Sequence, residues 1–197
     1  MAVLIIFMKK LKRFFKLKQF KNEKSSINNF EVSMEIKDNL FLLSYSICGN
    51  IPDIIIPGIE NFTLNNKSYY QRRDELWKST CFEFFIKEKN NKSYSEINVS
   101  PDYYYNVYSF NDYRTGMKQE NSLSLKNIEK IKKDKKFILH FIIESEIPFK
   151  TDSLFVNISS VIQYSNGKTE YWALKHPKQR ADFHDFDCFI GFSKKKH

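Results

Sequence analysis

Residues 72–88 read RRDELWKSTCFEFFIKE. From Thr80 onward the side chains alternate: Thr80, Phe82, Phe84 and Ile86 fall on one face of a strand, and Cys81, Glu83 and Phe85 on the other. The phenylalanine face is a core face. A carboxylate between a cysteine and a phenylalanine on the opposite face, with two arginines and a tryptophan just ahead, marks a strand whose second face meets a ligand.

The same period carries through the chain. In FEVSMEIKD, Val32, Met34 and Ile36 alternate with Glu31, Ser33 and Glu35; in NLFLLSYSICG, Phe41, Leu43, Tyr45 and Ile47 share a face, and Asp38-Asn39 sits between the two segments as a tight turn. IPDIIIPG, bracketed by Pro52 and Pro57, reads as an edge or extended segment. Residues 59–76 read as a long polar loop, 117–136 as polar and weakly patterned, and the lysine run at 130–136 as a solvated turn. SYSEINVSP, YYYNVYSFNDYR, FILHFIIESEIP, SLFVNISSVIQY, TEYWAL and FDCFIGF supply further strands, and Asn166-Gly167 is the strongest hairpin signal. About nine or ten strands separated by turn signals predict an all-β, two-layer antiparallel, jelly-roll-like β-sandwich over residues 27–193.

The 197 residues carry a formal charge of +9, but the basic excess is concentrated at the ends. Lys9, Lys10, Lys12, Arg13, Lys16, Lys18, Lys21 and Lys24 precede Ser26, and Lys194, Lys195 and Lys196 form a basic tail over 194–197, so the body is near neutral. A nucleic-acid binder carries its basic stripe on the folded surface, so nucleic acid is not an expected partner. The first 26 residues read as a short basic N-terminal extension, with Leu11, Phe14 and Phe15 on one helical face. Through residues 9–20 such a helix makes weak membrane-surface contact an open alternative to loose docking. The run Ala2 to Met8 is too short to span a bilayer, and its charges follow it, in the wrong order for a secretory signal; either Met1 or Met8 serves as a start. Three cysteines, Cys48, Cys81 and Cys188, with no CxxC, predict buried thiols and a reducing, cytoplasmic setting.

Applied to three strands, the alternation pools Glu83, Glu96, Asn98, Asn157, Ser159 and Gln163 on one face, flanked by Tyr94, Tyr108, Trp77 and Trp172. Carboxylates and amides bond hydroxyls, and aromatic faces stack on the apolar faces of sugars. The plainer reading is the wet side of a sheet, with Glu83 paired to Arg72, Arg73 or Arg114. In YWALKHPKQRADFHDFD, His176 and His184 lie near Asp182, Asp185 and Asp187, but their spacing matches no standard metal signature. Haem needs an axial pair such as Met and His; Met117 is the free methionine, and nothing in the sequence ties it to a histidine. No GxSxG and no phosphate-cradling glycine loop is present.

Three blocks, RRDELWKSTCFEFFI, YSEINVSPDYYYNVYSFNDYRTGM and YWALKHPKQRADFHDF, resemble the DOMON-like family, relatives of the family 9 carbohydrate-binding modules, over roughly residues 28–192. The positions that carry the resemblance are Arg73, Asp74, Trp77, Glu83, Glu96, Asn98, Pro101, Tyr113, Arg114, Trp172, His176, Pro177, Asp182 and His184. It implies a non-catalytic sandwich that binds a carbohydrate or similar polyhydroxylated ligand on one concave face, through Arg73, Trp77, Glu83, Glu96, Asn98, Arg114, Trp172, His176 and His184. Three alternatives stay open: a small metal-dependent or glycoside-type hydrolase using Glu83, Glu96 and His184, a haem- or calcium-binding module, and a scaffold that meets a protein partner through its aromatics.

Overall fold

The computed structural model describes residues 11–59, 70–149 and 151–193. The architecture is an all-β two-sheet sandwich, as the alternation predicts. The first sheet has the order β1 (Leu11–Lys16), β3 (Ile27–Lys37), β4 (Leu40–Gly49), β11 (Lys136–Ser145) and β10 (Leu123–Lys133). The second runs β2 (Lys18–Gln19), β13 (Thr169–Ala173), β12 (Leu154–Gln163), β6 (Cys81–Glu88), β7 (Tyr94–Val99), β8 (Tyr104–Phe110) and β5 (Gln71–Arg72). Two short strands complete it: β9 (Lys118–Gln119) on β8 and β14 (Ile190–Gly191) on β12. All pairings are antiparallel except β5 on β8.

Aromatic rings fill the space between the sheets. Tyr45 meets Phe82 at 5.2 Å between ring centroids, Phe41 meets Phe84 at 5.6 Å, and Phe30 meets Trp172 at 5.6 Å. Phe30, Phe41, Phe82, Phe84, Phe137 and Phe141 are buried, each contributing roughly 1.5–3 kcal/mol of transfer free energy. The high aromatic content is spent largely here.

Four expectations change. The N-terminal helix expected up to Phe20 is the edge strand Leu11–Lys16, paired with β3. Its side chains alternate, Phe15 inward and Lys12, Phe14 and Lys16 outward, so a two-residue period wins over the helical one; Phe14 is 75% exposed. The helical face proposed for membrane contact is therefore not formed over Leu11–Lys16, and Lys9 and Lys10 lie outside the described residues. The segment IPDIIIPG is a 3-10 turn followed by an isolated bridge from Ile54 to Tyr164. Of FDCFIGF only Ile190–Gly191 is strand, preceded by a 3-10 turn at Phe186–Cys188.

The polar stretch 117–136 contains the long strand β10. A bulge between Leu125 and Asn127 shifts the phase, so Leu123 and Leu125 point inward and then Ile128 and Lys130 do. Lys130 takes a core-side position by donating from Nζ to the carbonyls of Gly58, at 2.7 Å, and Pro101, at 3.1 Å. A lysine inside the run and a slipped period hid the strand. The hairpin at Asn166-Gly167 forms as expected, with Gly167 at φ 84°. Cys81 and Cys188 are buried free thiols, as expected, whereas the free thiol of Cys48 is half-buried. Among the described residues no helix is long and apolar enough to cross a membrane.

Candidate functional site

The outer face of the second sheet carries the residues that the alternation pooled. Strand register aligns them in two rows across β12, β6, β7 and β8: Ser159–Glu83–Asn98–Asn106 and Asn157–Phe85–Glu96–Tyr108. This face is not wet. The chain beyond β13 folds back over it, and Phe183 and Phe189 join Phe85, Tyr94, Tyr108, Phe110 and Val161 in a second, smaller core. Asn157 braces the cover by donating from Nδ2 to the Phe183 carbonyl at 2.8 Å.

Between sheet and cover lies a cavity of about 340 Å3, at the lower end of the roughly 300–1,000 Å3 typical of small-molecule sites. Its polar wall is Glu83, Glu96, Arg114 and His184; its rings are Trp77, Tyr171, Phe110 and Phe183; Met117, Val161 and Ala181 complete it.

Glu83 is 2% exposed. Its Oε2 accepts from the Ser159 hydroxyl at 3.1 Å, while Oε1 is buried with no hydrogen-bond partner. Burial, and then the neighbouring Glu96, push its carboxyl well above the usual carboxylate range. Glu96 accepts from Asn98 Nδ2 at 2.9 Å, and burial pushes its carboxyl up to about 7.

His184 stands 3.7 Å from Glu96, Nε2 to Oε2. On the ring's other side, Nδ1 lies 2.7 Å from the Tyr94 hydroxyl, which itself accepts from the Arg114 backbone N–H at 3.2 Å. With Tyr94 as the donor to Nδ1, the imidazole proton sits on Nε2, facing Glu96. Burial, and then the nearby Arg114, press the imidazole down to about 4, so His184 is neutral at ordinary pH.

Arg114 reaches the cavity from the turn after β8. Its φ of 53° and the glycine at 116, φ 69°, shape this turn; a Cβ on Gly116 would meet Asn111 Nδ2 at 2.5 Å. The guanidinium donates to Asp182 Oδ1 from Nε at 3.3 Å and Nη2 at 3.0 Å. Asp182 also accepts from the Tyr113 hydroxyl at 2.5 Å, Lys178 Nζ at 3.0 Å and the His184 N–H at 3.3 Å. Burial opposes ionisation of Asp182, but these hydrogen bonds outweigh it and hold the carboxylate well below its usual range. This buried hub ties the turn to the cover.

Trp77 lies in a 3-10 turn, Leu76–Lys78, entered through Glu75 at φ 61°. It packs edge-on against Tyr108 at 5.8 Å, and the Tyr108 hydroxyl donates to Asp74 at 2.7 Å, as does Asn106 Nδ2 at 2.8 Å. Asp74 thereby fixes the shelf under the tryptophan.

Of the predicted ligand residues, Trp77, Glu83, Glu96, Arg114 and His184 converge on the cavity, and Asn98 supports Glu96 from behind. Three do not converge. Trp172 points into the core between the sheets, where its Nε1 donates to Glu170 at 3.1 Å; hairpin register sets it opposite the inward-facing Ser160 and gives the cavity Tyr171 instead. Arg73 stacks its guanidinium 3.2 Å above the Tyr104 ring and pairs with Asp102 at 3.3 Å, on the exposed edge. His176 donates from Nε2 to the Lys18 carbonyl at 2.8 Å and pins β2. Gln163 ends β12 outside the cavity lining. Sequence reasoning missed Tyr171, Phe110 and Phe183; counting outward on both sides of the Asn166-Gly167 turn finds the first.

Met117 and His184 share the cavity wall, a thioether and an imidazole of the kind that ligate haem. His184 is engaged on both sides, by Tyr94 and toward Glu96, so these residues do not fit that group. Among the described residues no group of three or more His, Cys, Asp or Glu is arranged to hold a metal ion.

No family model matches the sequence, and no curated protein matches it. Among solved structures, the chain is similar to a crystal structure from Bacteroides uniformis titled as "a putative carbohydrate-binding protein": TM-score 0.55, 12% identity, 90% of this chain and 84% of that chain covered. At that identity the likeness is one of fold.

Proposed function

We propose that the protein is a binding module for a small polyhydroxylated ligand, a carbohydrate of one or two rings, held between the second sheet and its cover. The observation that carries this reading is the buried Oε1 of Glu83, which has no partner and lines a cavity flanked by Trp77 and Tyr171. A buried oxygen left without a hydrogen bond costs about 1–3 kcal/mol, which a ligand hydroxyl recovers, and the rings offer stacking faces. His184 Nε2–H adds a donor, and Arg114 rims the opening. The sandwich of the Bacteroides protein and the resemblance of the three blocks to DOMON-like domains and family 9 carbohydrate-binding modules support the same reading. Calorimetry with a panel of mono- and disaccharides tests it. Binding that Glu83→Ala weakens at least tenfold is the expected result; affinity unchanged in Glu83→Ala retires the assignment.

One observation favours a second reading, a glycoside hydrolase. Glu96 sits at about 7 beside Glu83, a pair of acids of the kind that exchange protons with a glycosidic oxygen. Turnover of nitrophenyl glycosides that Glu96→Gln abolishes would establish it; no turnover across pH 4–9 leaves the binding module.

A further inference from the structure

The cavity holds more acidic groups than a neutral sugar needs. Two carboxyl groups line it, and its one guanidinium, that of Arg114, is already held by the buried Asp182. We propose that the ligand is a cationic sugar, an amino sugar or a short oligomer of amino sugars, whose free ammonium group is received by Glu83 and Glu96. The inference rests on the carbohydrate reading above and narrows its ligand class.

The groups around Glu83 give it a single counter-charge, Arg114, which is already bonded to Asp182. From β7 come Glu96 and Asn98, from β12 the Ser159 hydroxyl, and from its own strand Cys81. From the opposite sheet the buried Tyr45 donates its hydroxyl to the Glu83 backbone carbonyl at 2.7 Å and leaves the carboxyl alone. From the cover come Asp182 and His184, the latter neutral with Nδ1 committed to Tyr94. Arg114 is the cation that faces the pair, and both of its bonded nitrogens point at Asp182. A neutral hydroxyl would satisfy Oε1 and leave the two acids holding their protons. An ammonium group satisfies the same oxygen, favours ionisation of the pair and is itself favoured by the surrounding ring faces.

The proton balance gives a signature. In the free protein, burial and Glu96 raise the Glu83 carboxyl well above the usual carboxylate range, so it holds its proton more readily than an ordinary acid. When the ammonium form of the sugar seats against a carboxylate, that proton leaves to solvent, so binding releases about one proton per site. A neutral sugar releases none.

The test is titration calorimetry of the full chain at pH 6.5 with four disaccharides: the β-1,4 dimer of glucosamine, its N-acetylated counterpart, cellobiose and a uronic-acid dimer. Each is run in two buffers of different ionisation enthalpy to count protons. The amine dimer is expected to bind at least tenfold more tightly than the other three and to release about one proton. Glu83→Gln should bring it within threefold of cellobiose and abolish the release; if that variant does not fold, Glu96→Gln serves for the affinity comparison. Equal or tighter binding of cellobiose, the N-acetylated dimer or the uronic dimer, or amine binding without proton release, overturns the cationic ligand and leaves the carbohydrate reading standing. No binding by any of the four overturns both.

Discussion

Replacing Glu96 with glutamine should make the protein less sensitive to alkali, by an amount the structure sets. Glu96 is 6% exposed, and burial raises its carboxyl from an ordinary 4.5 to about 7. A group raised in the folded state stabilises fully below its unfolded value and loses that contribution as pH rises through the folded one. Between pH 5 and pH 8 this amounts to about 2.5 kcal/mol. His184 acts in the opposite direction: pressed from 6.5 to about 4, it withholds stability below about pH 6.5 and restores about 2 kcal/mol over the same interval. The wild-type stability curve should therefore be flatter than either group alone dictates. Glu96→Gln keeps an acceptor for Asn98, removes the titration and exposes the rising limb due to His184. It also lowers the load on Glu83, whose carboxyl Glu96 helps to raise, and that change has the same sign. Urea or thermal unfolding of both proteins at pH 5 and pH 8 should show the variant gaining about 2.5 kcal/mol on the wild type at the higher pH, about 5–10 °C in Tm for a chain of this size. Parallel curves, separated by a constant offset from pH 5 to 8, would refute the claim that Glu96 is a buried, proton-holding acid.

Trp172→Ala should cost about 3–5 kcal/mol by denaturant unfolding, because the ring fills the core against Phe30. Trp77→Ala should do the reverse, leaving stability within about 1 kcal/mol while weakening saccharide binding at least fivefold by calorimetry. Asp182→Ala strands Arg114 and Lys178 and removes the hub under the cover; about 3 kcal/mol of destabilisation is expected from unfolding curves, with hydrogen exchange rising first across residues 174–189. Gly49→Ala should be severely destabilised in a thermal melt, since a Cβ there would stand 2.1 Å from the Ser26 carbonyl oxygen.

Period-two alternation was enough to place Glu83, Glu96, Asn98, Asn157 and Ser159 on one sheet face, because each lies in a strand whose opposite face is mostly apolar. It could not show that this face is covered. The covering segment is rich in charge, and its descent onto the sheet depends on Asp182 collecting hydrogen bonds from Tyr113, Arg114 and Lys178, which are far apart in the chain or in irregular turns. Alternation is also silent about phase when both neighbours are aromatic: Tyr171 and Trp172 were interchangeable until hairpin register decided between them. In β10 the bulge at Leu125/Asn127 broke the very signal being read. In the N-terminal stretch lysines and phenylalanines satisfied two periods at once, and pairing with β3 chose the shorter.

The N-terminal stretch holds one more consequence. Leu11–Lys16 belongs to one sheet and Lys18–Gln19 to the other, with Leu17 buried at the crossing, and Arg13 Nη1 donates to the carbonyls of Gly191, at 2.6 Å, and Phe192. The earliest and latest described residues thus form a common seam down one side of the molecule. During synthesis this seam stays open until Phe192 has left the ribosome.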